Sequence, residues 1–254
     1  WIHDNLITNT TYNPKVEGSI ILEFRTEHAL IENNIFNNKA YGISFNTRGP
    51  GNYGGDNLPD PGGMPPGGYS YLLNNVIRNN LFTNMYTGQG VGNSFAIGVI
   101  SEGTDDPQIN GLSVYNNTMI GRSGNPSYMG IDLTSMPQGN GQNINIRNNI
   151  IQGFGAYPIR GSNPTNITGC FVTHNDFYLN GNNNAVSWPG GNPANYTYNN
   201  NISQNPLFVS ATNFSLQATS PCIDAGVNVG IPYNGSAPDM GYVEYGTTGN
   251  IPPT

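Results

Sequence analysis

The chain is short of charge. Only 9% of its 254 residues are Asp, Glu, Lys or Arg, and the 8 basic ones leave a formal net charge of -7. That balance argues against nucleic acid as a partner, because neutralising a phosphate backbone takes clustered Lys and Arg. Long apolar runs are missing too. None approaches the roughly 18 residues of a membrane-spanning helix, so no membrane span is expected. The 2 cysteines, Cys170 and Cys222, allow either one disulfide in an oxidising compartment or two small buried thiols. His28 and His174 stand alone, without the spacing of a histidine metal site.

What is abundant is Gly (34), Pro (19), Tyr (15) and above all Asn, at about one residue in six. Ordinary usage is far lower. So polar a composition would suit a disordered chain, but its apolar residues are spaced as a repeat.

The unit is an apolar residue, two variable residues, Asn, one variable residue and a second apolar residue, with Thr in weak copies. It occurs at Ile2–Ile7, Ile31–Phe36, Ile77–Phe82, Val114–Met119, Ile146–Ile151, Val172–Phe177 and Thr197–Ile202. The repeated Asn are residues 5, 34, 80, 117, 149, 175 and 200, in steps of 29, 46, 37, 32, 26 and 25. Such steps lie near the solenoid range. Their unevenness means loops of different length hung from constant rungs.

A second element follows each Asn: Gly18–Leu22, Tyr41–Phe45, Phe95–Val99, Met129–Leu133, Tyr157–Arg160 and Ala185–Trp188. Its period of two predicts strands with alternate residues facing in. Ile43, Ile97, Ile131, Ile159 and Val186 are expected to stack inside. Phe45, Val99, Leu133 and Trp188 form the next inward column, and Tyr41, Phe95, Met129 and Tyr157 the one before. Helices are the competing reading, but no i, i+3, i+4, i+7 stripe is sustained, and Gly, Pro and Asn interrupt every window. Asn suits a sharp turn because it tolerates the left-handed region and hydrogen-bonds backbone. Identical amides stacked at about 4.8 Å also bond to one another. The repeated Asn therefore predict an internal ladder, not a site.

The Ile-X-Asn-Asn-X-Ile and Gly-Ile-X-Leu units resemble the right-handed parallel β-helix repeat of the pectate-lyase-like superfamily. The tail adds to this. Asn205–Val209, Phe214–Gln217, Ser220–Gly226 and Asp239–Tyr245 look like the closing segment of secreted bacterial β-helix proteins. The resemblance implies an all-β solenoid of about seven rungs over 1–204, a closing segment at 205–246 and a linker-like tail at 247–254. It implies an extracellular or cell-surface protein. It is weak for function, since one fold carries lyases, hydrolases, epimerases and inert surface proteins. In that family the Asn turn separates the second and third sheets. The Gly-Ile-X-Leu strand would be the first sheet, whose outer face and following loops usually hold the active site.

The loops after that strand are long, at 46–70, 101–107 and 134–142, and long loops on one side of a scaffold suit binding. On the strand, the position after the aligned Ile gives Ser44, Gly98, Asp132, Arg160 and Ser187. Four positions later Arg48 and Glu102 align, with Arg25 below. Arg25, Arg48 and Arg160 would grip uronate carboxylates or sulfates, because guanidinium forms bidentate pairs. Asp56, Asp60, Asp105 and Asp106 would hold Ca2+, a hard cation that takes oxygens. The bland alternative is a salt-bridged surface with acidic turns. A second outward column beside the ladder runs His3, Glu32, Arg78, Tyr115, Arg147, Thr173, Tyr198, with Tyr115 between two Arg placed to stack on a sugar.

The lyase pattern is incomplete. Such enzymes commonly use a Lys or Arg base and a carboxylate cluster on the first sheet, whereas Lys15 and Lys39 lie off that strand and Arg160 is the one well-placed base. A hydrolase needs two carboxylates within roughly 5–10 Å, and Asp132 has none beside it in its column. Two expectations stand. One is a carbohydrate-facing β-helix that binds an acidic polysaccharide and cleaves it by elimination or hydrolysis through Arg160 and Asp132. The other is a non-catalytic structural or adhesive solenoid. The chain opens on Trp1 inside a repeat, so residues upstream are expected, and an uncovered first rung would offer strand edges for end-to-end self-association.

Overall fold

The structure, a computed structural model, describes residues 1–8, 19–23, 26–37, 41–48, 71–85, 94–102, 108–122, 128–136, 141–184 and 186–247. Within them the chain is a parallel β-helix. Every strand pairing is parallel, in three sheets. The first sheet stacks Ile20–Glu23, Tyr41–Arg48, Ser94–Glu102, Tyr128–Asp132 and Tyr157–Arg160. The second includes Leu30–Glu32, Val76–Arg78, Ser113–Tyr115, Gly141–Arg147 and Ile167–Thr173. The third runs from Leu6–Thr8 through Leu81–Met85 to Asp176–Tyr178. The first-sheet strands at Arg48 and Glu102 are longer than the sequence pattern marks, so both residues sit on strands, not in loops.

Parallel stacking puts like on like. Ile31, Ile77, Val114, Ile146 and Val172 share one register, and Ile43, Ile97, Ile131 and Ile159 another. Phe36 and Phe82 stack with ring centroids 4.5 Å apart. All of these side chains are buried, each worth roughly 1.5–3 kcal/mol of transfer free energy.

The Asn ladder closes the corner between the second and third sheets. Asn34 donates through Nδ2 to Asn80 Oδ1, Asn80 to Asn117, Asn117 to Asn149 and Asn149 to Asn175, at 2.9–3.1 Å. Each Oδ1 also accepts the backbone N–H of the preceding ladder residue. A buried amide is thereby saturated, which is what burial demands. The left-handed backbone belongs to the residue before. Asn33, Asn79, Asn116 and Asn148 have φ of 49–58°. Turn conformation and ladder bonding are thus split between the two Asn of each pair.

The last rung differs from the sequence expectation by one residue. Tyr198 pairs with Val172, Asn199 with Thr173, and the ladder ends on Asn201, which accepts from Asn175 Nδ2 at 3.0 Å. A run of three Asn fits either register, and Tyr198 falls in the column of Val172 while staying exposed. Ile202 then falls beside Asp176 and packs with Ile150, Leu216, Cys222 and Met240. That small cluster fastens residues 203–247 to the outside of the third sheet. This segment runs back along the Asn corner. Asn148 and Val227 exchange two hydrogen bonds, Gly241 donates to the Asn148 carbonyl and Tyr242 N–H to Thr118 Oγ1. Cys170 and Cys222 are free, buried thiols in separate clusters.

Candidate functional site

The outer row of the first sheet has the register that the sequence implies. Gly98 pairs with Ser44 and Asp132, Asp132 with Arg160, and Arg160 with Ser187. Four positions along, Glu102 pairs with Arg48. Arg25, Asp56, Asp60, Asp105 and Asp106 lie outside the described residues. Among the described residues no group of three His, Cys, Asp or Glu is placed to hold a metal ion.

The row is not bare surface. Ser44 and Asp132 are buried. Asp132 Oδ1 accepts the backbone N–H of Thr134 at 2.9 Å and its hydroxyl at 2.6 Å. The carboxylate thus pins the turn that ends the strand, as Asp does two residues ahead of a bend. Burial pushes its pKa above the ordinary value, opposed by the Thr134 hydrogen bonds and the Arg160 charge. No ion pair joins Asp132 to Arg160. The Arg160 guanidinium lies 5.7 Å from the Tyr157 ring centroid, and its Nε is buried without a partner.

That contact corrects one inferred column. Tyr157 shares the outer face with Arg160, and Phe95 lies there too. A Cβ added to Gly98, in the outward row, would come within 2.7 Å of the Phe95 ring. Tyr41 packs on Phe95 at 4.9 Å. The column Tyr41, Phe95, Met129, Tyr157 therefore flanks the polar row instead of filling the core. Its inward place is taken by small residues. Ala96 is in the core beside Ile97, and a Cβ on Gly130 would meet Ile151. Two successive positions thus face the core, and strict alternation fails for one step.

The second sheet carries its own outward column. Arg78 pairs with Glu32 at 2.6 Å. Tyr115 stands between Arg78 and Arg147. Arg147 lies 5.3 Å from the Phe171 ring centroid, donates to Asn145 Oδ1 at 3.2 Å and leaves its Nε buried and unpaired. Below it is Thr173, followed by His174, whose Nε2 contacts Asn200 at 3.0 Å while Nδ1 has no partner. Burial and the Arg147 charge lower the His174 pKa. Sequence reasoning placed Arg147 in this column but did not single it out. The missing signal was the lack of an acid beside it in the column, where Tyr115 and Thr173 flank it.

Chemically, each face offers a guanidinium group beside an aromatic ring, suited to an anion. Neither offers the paired carboxylates of a hydrolase among the described residues. No family model, no curated protein and no solved structure matches the chain.

Proposed function

We propose that the chain is a secreted β-helix protein of the pectate-lyase-like kind that binds an acidic polysaccharide along its outer faces. One observation carries this. Arg147 and Arg160 each lie beside an aromatic ring and, among the described residues, pair with no carboxylate, although the chain has a net charge of -7. A guanidinium beside a ring, with its Nε buried, has only its terminal nitrogens left to donate to a carboxylate or sulfate. The two groups lie on different sheets, Arg147 between Tyr115 and Thr173 and Arg160 between Asp132 and Ser187, so each face offers one anion contact with polar neighbours on the rungs beside it, about 4.8 Å away. Tyr115, next to Arg147, supplies a surface for a sugar ring. Cleavage, if the protein performs it, would run through Arg160 and Asp132 on the first sheet, with Ca2+ at Asp105 and Asp106 neutralising the uronate.

Affinity electrophoresis against pectate, alginate, glycosaminoglycan and neutral polysaccharides, with and without Ca2+, tests this. Retardation by an acidic polymer alone is expected. It should weaken with added salt and fall by about tenfold in Arg147→Ala or Arg160→Ala, with partial recovery in the Lys variants. Unsaturated or reducing ends released from the same polymers report cleavage. Equal mobility in every gel would leave a structural solenoid.

A further inference from the structure

The Asn corner carries more amides than the fold consumes. In the left-handed positions, Asn148 grips Val227 as one peptide group grips another. Its Nδ2 donates to the Val227 carbonyl at 2.8 Å, and its Oδ1 accepts the Val227 N–H at 2.9 Å. One rung away Asn116 donates to the Asp239 carbonyl at 3.0 Å and accepts from Asn148 at 3.2 Å. Among the described residues, the side chains of the next two residues of the column, Asn79 and Asn33, have no hydrogen-bond partner, and both are half-buried. They line a groove of about 240 Å³ whose other wall includes Pro232, Tyr242 and Glu244.

We infer that this groove docks an extended polypeptide segment of a partner protein, uncharged or basic, through the amides of Asn79 and Asn33. The protein's own closing segment supplies the precedent, because Asn148 and Asn116 already hold chain by its peptide groups. From Asn116 to Asn33 is two rungs, about 10 Å, or roughly three residues of extended chain. A side-chain amide matches a peptide in both donor and acceptor, so a peptide group can replace the solvent at Asn79 and Asn33 without loss of hydrogen bonds. Glu244 is the one charged residue among the described residues of the lining, and backbone N–H groups of Asp239 and Asn234 hold its carboxylate in place. It disfavours an acidic segment. Backbone recognition of this sort is tolerant of sequence, as in strand addition to a sheet edge.

The test pans a phage-displayed random peptide library on the immobilised full chain. Selected sequences are then synthesised and titrated against 15N-labelled protein. Peptides should bind and shift the side-chain amide signals of Asn33 and Asn79. Affinity should fall at least tenfold in Asn79→Gly and in Asn33→Gly, each of which keeps the left-handed backbone and is checked for an unchanged melting temperature. Three results overturn the proposal: peptides whose binding is indifferent to both variants, binding seen only after residues 248–254 are deleted, and a groove whose amide signals move with neutral oligosaccharides but with no peptide.

Discussion

Asp176 and Cys222 meet in the interior between the third sheet and the closing segment, with the thiol 3.4 Å from the carboxyl Oδ2. The other oxygen accepts the Gln204 N–H at 3.1 Å. The carboxyl is fully buried, and burial lifts its pKa to about 7, against the pull of those hydrogen bonds. The sign of the linkage follows. In the unfolded chain the group ionises near 3.8. Between that value and about 7 the folded state holds a proton that the unfolded state has lost, so stability falls as pH rises through this window and levels off above it. The loss is on the order of a few kcal/mol. Denaturant melts from pH 4 to 8 (about the width of that window) should show the decline in the native protein and a flatter profile in Asp176→Asn. Parallel profiles would assign the pH dependence to other buried acids, of which Asp132 and Asp239 shift in the same direction.

The ladder makes a graded prediction. Asn117 donates to the carbonyls of Ile77 and Tyr115 and to Asn149, and accepts twice from Asn80. Asn117→Ala strands several of these groups in the interior and should cost about 3 kcal/mol or more. Asn5, exposed at the end of the ladder, donates only to Asn34 and to the His3 carbonyl. Asn5→Ala should cost less than about 1 kcal/mol. Urea melts of the two variants compare them directly, and equal losses would count against ladder bonding as the source of stability.

Much of this was legible because parallel stacking repeats the same chemistry at each rung. Ile at 43, 97, 131 and 159 and Asn at 34, 80, 117, 149 and 175 gave the rungs and their register. Three things were hidden for physical reasons. In a doublet such as Asn79-Asn80 either amide suits the turn, and only backbone dihedrals separate the roles. In Asn199-Asn200-Asn201 the register slides by one at no cost in composition. Phe95 is apolar and so reads as core, yet Ala96 and Ile97 both face inward and leave it on the outer side. The alignment of Asp132 and Arg160 was legible. The bond of Asp132 to Thr134 was in reach of the Asp-X-Thr spacing. The groove at Asn79 was not, since its far wall comes from residues some 160 positions later in the chain.

The outward placement of Phe95 can be tested through Gly98. A methyl group at 98 would press within 2.7 Å of the Phe95 ring, so Gly98→Ala should destabilise by about 1–3 kcal/mol. Phe95→Ala removes the obstacle. The double variant should then lose less than the sum of the two single losses, by 0.5 kcal/mol or more. Additive losses would place the ring elsewhere.

The two thiols give the last prediction. Cys170 is buried in the rung core, where burial pushes its pKa up to about 12. Cys222 is pushed up as well, by burial and then by the charge of Asp176. A thiol kept protonated and enclosed is a poor nucleophile, because the thiolate is the reactive form. The folded protein should therefore react with no equivalents of a thiol reagent at neutral pH. In denaturant, without reductant, it should react with two, matching the two free cysteines. The rate of labelling in mild denaturant separates their surroundings. Cys222 sits under the closing segment and Cys170 among the rungs, so detachment of residues 203–247 should expose Cys222 first. Labelling of both at one rate would mean that the closing segment and the rungs unfold as a single unit.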